Sequence, residues 1–152
     1  MRKGTLLIVD DEEQLIENVM LLLEPYAERI LSAPNGKEGL EVLKNEDVQC
    51  VICDIRMPVM DGIHLIREVR RSGNEVPFIF YTAHGDPSLM KEAIKYGAFD
   101  FLDKPELLNL EDIVQRGLAH GFKVQSDTDD PSSGDFVSEY QKILNSSKKE
   151  DS

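Results

Sequence analysis

The stretch Gln49-Cys50-Val51-Ile52-Cys53-Asp54 decides the fold. Four consecutive apolar residues leave it no polar face, so it reads as a strand buried on both sides, the form strands take in parallel sheets. It closes on a carboxylate. Thr5–Asp10 (TLLIVD) has the same form and the same ending, and Val76–Thr82 (VPFIFYT) is a further buried strand that ends in a hydroxyl. Phe99–Asp103 reads as the last strand and the less apolar Arg29–Ala33 as an edge strand. Amphipathic segments separate them. Leu15, Ile16, Val19, Leu22 and Leu23 recur at helical spacing up to Pro25, and Asn35-Gly36 opens a helix carrying Leu40 and Leu43. Leu65, Ile66 and Val69 form the inward stripe of the next helix. Asp86 caps a short helix with Pro87 at its first position and Gly97 at its C-terminal end, and a last helix runs from about Glu106 to His120.

Five strand–helix pairs in 122 residues predict an α/β fold, a doubly wound five-stranded parallel sheet with right-handed crossovers and helices on both faces. In such sheets ligands bind beyond the carboxyl ends of the strands, where the strand order reverses.

Composition excludes several function classes. The 152 residues carry 29 acidic against 17 basic side chains, a net charge of −12, so a nucleic-acid backbone is repelled on average. No apolar run approaches the ~20 residues needed to cross a bilayer, and the apolar run Leu6–Val9 is too short for a signal peptide. A cytoplasmic protein with neither a nucleic-acid nor a membrane partner is expected. Cys50 and Cys53 form a Cys-x-x-Cys string, but on a strand they stand ~10 Å apart on opposite faces, too far for a disulfide, which needs Cα atoms within ~7 Å. Two inert core thiols are expected.

Residues 1–122 are read as the folded domain and 123–152 as a tail. Lys123–Gly134 has a linker composition, and Phe136, Val137, Tyr140, Ile143 and Leu144 then form a short apolar stripe behind Asp135.

The residues closing the strands form a chemical set. Asp10 and Asp11 follow the first strand, Asp54 the third, Thr82 ends the fourth, and Lys104-Pro105 follows the fifth. If the first and third strands are neighbours, three carboxylates meet, and like charges that close need compensation. Oxygen donors alone suit Mg²⁺, with Mn²⁺ as a substitute; nothing supports zinc. An aspartate beside such an ion can attack phosphorus, and a lysine and a hydroxyl are the groups that neutralise and position the phosphoryl oxygens.

The chain resembles the receiver domains of two-component response regulators, in particular the stand-alone, chemotaxis-type receivers. The residues that carry the resemblance are Asp10-Asp11, CDIRMPVMDG from Cys53 to Gly62, Thr82-Ala83 and GAFDFLDKP from Gly97 to Pro105. Over about the first 120 residues it implies a sheet of order 2-1-3-4-5. It also implies that Asp54 accepts a phosphoryl group from a histidine kinase or a His-containing phosphotransfer protein, forming an aspartyl phosphate. Asp11 would bind Mg²⁺ directly, Asp10 more through water, and Asp54 and the backbone carbonyl of Arg56 would complete the metal set. Lys104, joined to Pro105 by a cis bond, would pair with the phosphate. Thr82 would swing toward it and let Phe101 turn inward, in a position where Tyr is commoner. Arg56 and His84 occupy the two positions that tune the phosphoryl lifetime.

The resemblance further implies a phosphoprotein that assists its own phosphorylation and dephosphorylation without being a turnover enzyme. Its signal would pass to a downstream protein target through the fourth helix, fifth strand and fifth helix, around Met90–Gly121. The molecule would be a monomer or a phosphorylation-dependent dimer. A DNA-binding output needs roughly 60 further residues with a basic helix, so either a stand-alone receiver or the receiver part of a longer regulator is expected. The rival is a Mg²⁺-dependent phosphatase of the haloacid dehalogenase type. That family places a second Asp two residues after its nucleophile, whereas two residues after Asp10 stands Glu12. Glu12 and Glu13 are read as helix-dipole acids, and His64 and His120 as solvated surface residues.

Overall fold

A computed structural model describes residues 3–83 and 85–129. The chain alternates strand and helix: β1 (Thr5–Val9), α1 (Glu13–Leu23), a 3-10 turn (Glu24–Tyr26), β2 (Arg29–Ala33), α2 (Gly36–Asn45), β3 (Cys50–Cys53), α3 (Gly62–Arg71), β4 (Phe78–Thr82), α4 (Pro87–Lys95), β5 (Asp100–Asp103) and α5 (Leu108–Asp129). All neighbouring strands are parallel, in the order β2-β1-β3-β4-β5. The order reverses between β1 and β3. The two all-apolar stretches that end in carboxylates are therefore neighbours, with Val9 opposite Cys53.

Side chains alternate across each strand and feed two cores. Leu7, Val9, Val51, Cys53, Phe78 and Phe80 pack against α2, α3 and α4. Leu6, Ile8, Cys50, Ile52, Ile79 and Tyr81 pack against α1 and α5. Cys50 and Cys53 thus lie in different cores, and both are free and buried. Burial removes the water that would solvate a thiolate and pushes both thiols well above their ordinary pKa.

The local signals at Asn35 and Asp86 hold: Asn35 caps α2 through the Glu38 N–H, and Asp86 caps α4 through the Ser88 N–H with Pro87 behind it. Asp61, for which no capping role is expected from sequence, caps α3 through the His64 N–H. Gly97, at φ +76, follows the C-cap residue of α4.

The last helix differs from its expected end at His120, for it continues to Asp129. Composition alone reads Ser126 and Asp127 as linker, but tertiary packing overrides it. The Gln49 side chain accepts from the Thr5 N–H at 2.6 Å and donates to Gln125 at 3.1 Å, and Gln125 donates to Asp47 at 2.7 Å. A side chain on Gly121 would run into the Gln49 carbonyl, so the helix approaches the sheet there closely enough for that bond network. The apolar stripe Phe136–Leu144 lies outside the described residues.

Candidate phosphorylation site

Three site residues are held where the sheet ladder continues one step past the strands. The Asp10 N–H donates to the Ala33 carbonyl at 3.0 Å, the Asp54 N–H to Val9 at 3.0 Å, and the Lys104 N–H to Thr82 at 2.9 Å. Each backbone is thus fixed by its neighbouring strand, a rigid mounting for chemistry. Behind Asp54 the loop to α3 folds back on itself. The Ile55 N–H donates to Asp54 Oδ1 at 2.7 Å and the Gly62 N–H to the Ile55 carbonyl at 2.8 Å. A Cβ at Gly62 would strike the Asp54 carbonyl, so only glycine lets the loop close. The Lys104–Pro105 peptide bond is cis.

The side chains converge on Lys104. Its Nζ lies 2.9 Å from Asp10 Oδ2, 3.0 Å from Asp54 Oδ2 and 3.4 Å from Glu12 Oε1. The side chains of Lys104, Asp10 and Asp54 are 7%, 3% and 8% exposed, so the ion pairs are largely withdrawn from water. Burial raises the Asp10 carboxyl above its ordinary pKa, against the Glu12 N–H and Lys104, which lower it. Burial by itself lowers the pKa of Lys104, but hydrogen bonds and charge from Asp10 and Asp54 outweigh it, and the ammonium stays protonated. The arrangement holds two buried carboxylates around one cation, a donor set of oxygens that a divalent cation can join.

Among the described residues, the acids whose oxygens lie within 4.8 Å of one another are Asp10, Glu12 and Asp54. Asp11 is exposed and stands outside this group. Glu12, read from sequence as a dipole acid, sits at the N-cap of α1 without a capping hydrogen bond and points to Lys104 instead. Asp10 Oδ1 accepts from the Glu12 N–H at 3.0 Å, an Asx turn beside the strand end.

Thr82 is 5% exposed at the end of β4, facing Asp103 across the ladder. Phe101 is half-buried, packed on the α3 and α4 side with its ring stacked on Phe80 at 5.8 Å. Arg56 is exposed and lies 3.8 Å from Asp86, the cap of α4, so it links the loop after Asp54 to the head of that helix. His84 lies outside the described residues. His64 is exposed beside Glu68, and His120 is exposed against the Phe99 ring. No helix among the described residues is long and apolar enough to cross a membrane.

Comparison with known proteins agrees with this geometry. Residues 6–116 match the response regulator receiver domain family. The chain is 31% identical over 124 residues to the transcriptional regulatory protein ZraR of Escherichia coli K12, covering 81% of this chain and 28% of that protein. It is 33% identical over 103 residues to the transcriptional regulatory protein FixJ of Bradyrhizobium diazoefficiens, covering 68% of this chain and 50% of that one. The chain thus spans between about a quarter and a half of these relatives. Among solved structures it is similar to a response regulator receiver domain protein from Clostridium thermocellum, with TM-score 0.72, 29% identity and coverage of 80% and 98%. It is also similar to the signal receiver domain of an HD domain-containing protein from Pseudomonas fluorescens Pf-5, with TM-score 0.75, 26% identity and coverage of 81% and 99%. A family match over most of the folded chain, joined to a sheet of order 2-1-3-4-5 with an acidic cluster at its switch point, leads to one conclusion: the chain belongs to the response regulator receiver domain family of two-component systems, a phosphorylation-controlled signalling switch.

Proposed function

We propose that Asp54 is the phosphoacceptor, loaded in a Mg²⁺-dependent reaction by a histidine kinase or a His-phosphotransfer protein. The observation that carries this reading is the Lys104 ammonium held between Asp10 and Asp54 at 2.9 and 3.0 Å, at the sheet edge where the strand order reverses. An Asp54 carboxylate oxygen attacks the phosphorus and the bond from phosphorus to the donor nitrogen breaks. The donor imidazole keeps the electron pair and recovers its proton from solvent. Lys104 meets the charge of the transferred group, and Thr82 donates its hydroxyl to it. Asp10, Asp11, Asp54 and the Arg56 carbonyl are the residues that would hold the metal. A bound divalent cation supplies charge neutralisation for the phosphoryl oxygens.

The molecule works as a switch and is not a turnover enzyme: it helps its own phosphorylation and dephosphorylation. Loading biases Thr82 and Phe101, and through them the surface of α4, β5 and α5 that meets a downstream protein. Ile94, at 60% exposure, and Leu107 and Leu108, at 41% and 89%, give that surface apolar contact area. The protein works in the cytoplasm, with the domain read as residues 1–122, extended by α5 to Asp129, as the switch.

The test is incubation with Mg²⁺ and acetyl phosphate followed by intact mass. One added phosphoryl group is expected on the wild type and none on Asp54→Asn. No uptake by the wild type, or full uptake by Asp54→Asn, overturns the assignment.

A further inference from the structure

Resting on that phosphoacceptor reading, we propose that Glu12 is a further positioning residue of the site: it holds Lys104 while Asp54 is unloaded, gives it up when the phosphoryl group arrives, and thereby slows loading while strengthening divalent-cation binding. The geometry supplies each step. An ammonium has three donors, and Lys104 has three carboxylate partners, Asp10, Asp54 and Glu12, at 2.9, 3.0 and 3.4 Å. Esterification removes the Asp54 charge and frees one donor for a phosphoryl oxygen, so a second phosphoryl oxygen can bond to Lys104 only if a further partner lets go. Asp10 is held by the Glu12 N–H and is 3% exposed on its side chain, and Asp54 bears the phosphoryl group. Glu12 makes the longest contact and is 59% exposed, so its carboxylate can turn into water with little desolvation to undo. It spends nothing on its own helix, for it caps α1 without a side-chain hydrogen bond.

Two consequences follow from its charge. Glu12 has an oxygen within 4.8 Å of ligand oxygens of both Asp10 and Asp54, so it adds to the negative field that draws a divalent cation. The same field opposes an anionic phosphodonor. Because Glu12 is largely exposed, water and salt screen both effects, and each amounts to about threefold at low ionic strength.

The test compares the wild type with Glu12→Gln and Glu12→Ala. Loading by acetyl phosphate is followed by intact mass at saturating Mg²⁺ and at two ionic strengths, and Mg²⁺ affinity is measured by titration calorimetry without donor. Both variants are expected to load about threefold faster at low salt, to converge on the wild type at high salt, and to bind Mg²⁺ about threefold more weakly. Glu13→Gln, exposed in the first turn of α1 and outside the acid group, is expected to match the wild type in all three measurements. Equal or slower loading by the Glu12 variants, or unchanged Mg²⁺ affinity, overturns the role of Glu12 while leaving Asp54 as phosphoacceptor. A wild type that takes no phosphoryl group overturns both.

Discussion

The two ends of the sheet bury polar groups in opposite ways. At the ends where the strands finish, Asp10, Asp54 and Lys104 place charges within hydrogen-bond reach of one another, nearly out of water. At the ends where they begin, Gln49, at 3% exposure, serves the Thr5 N–H and Gln125 with a neutral amide. A buried neutral amide with its partners satisfied costs little and fixes geometry. Buried carboxylates carry a desolvation cost that the Glu12 and Ile55 N–H groups and the Lys104 ammonium offset together. The lower edge, where the strands begin, is satisfied by neutral groups; the upper edge, where they finish, holds its buried carboxylates against Lys104, and on the proposed reading that is where charge is added.

Lys104→Met separates the two edges most strongly. Removing the ammonium leaves Asp10 and Asp54 facing each other without a cation and is expected to cost about 3 kcal/mol at neutral pH in metal-free buffer. Urea denaturation checks it, and Mg²⁺ should restore more stability to the variant than it adds to the wild type. Loss below 1 kcal/mol would mean that the ammonium is no essential counterion. The same pair gives a pH signature. Burial raises the folded pKa of Asp10 above 3.8, so the native state takes up this proton before the unfolded chain does, and the group favours folding more as pH falls through that folded value. The stability of the wild type relative to Asp10→Asn should therefore rise on acidification from neutral pH. A constant difference between pH 7 and pH 4 would contradict it.

At the lower edge, Gln49→Leu removes the acceptor of a buried N–H and releases Gln125. The expected cost is about 2 kcal/mol, with phosphoryl uptake at Asp54 unchanged. If uptake falls along with stability, the two edges are coupled through β3 and the division drawn between them fails.

How far the sequence reveals each edge follows from the range of the signals involved. The strand ends are legible because QCVICD and TLLIVD each show a buried run closing on an acid, and adjacency of β1 and β3 then brings Asp10 and Asp54 together. Asn35 and Asp86 are local caps whose partners lie within three residues. Glu12 is missed because its bond to Lys104 spans 92 positions, while the acids around it suggest nothing beyond a helix dipole. The length of α5 is missed for a similar reason. Gln125 is held by Gln49 and Asp47, and composition near Ser126 carries no trace of that contact.

Backbone strain divides between the edges in the same sense, and it gives the smallest effect. At the start of β1 the left-handed conformation falls on Gly4, at φ +87, where no Cβ is present to object. In the loop after Asp54 it falls on Val59, at φ +70, a β-branched residue 77% exposed, whose side chain gains little by burial in return. Val59→Asn keeps the conformation in a residue that tolerates it, and should raise stability by about 1 kcal/mol. A urea midpoint at or below that of the wild type would show that Val59 is not strained. The loading rate of the stabilised variant then tests the comparison itself. Slower uptake would mean that the loop must move as Asp54 is loaded and that the strain assists it; an unchanged rate would confine the trade of stability for function to the charged side chains alone.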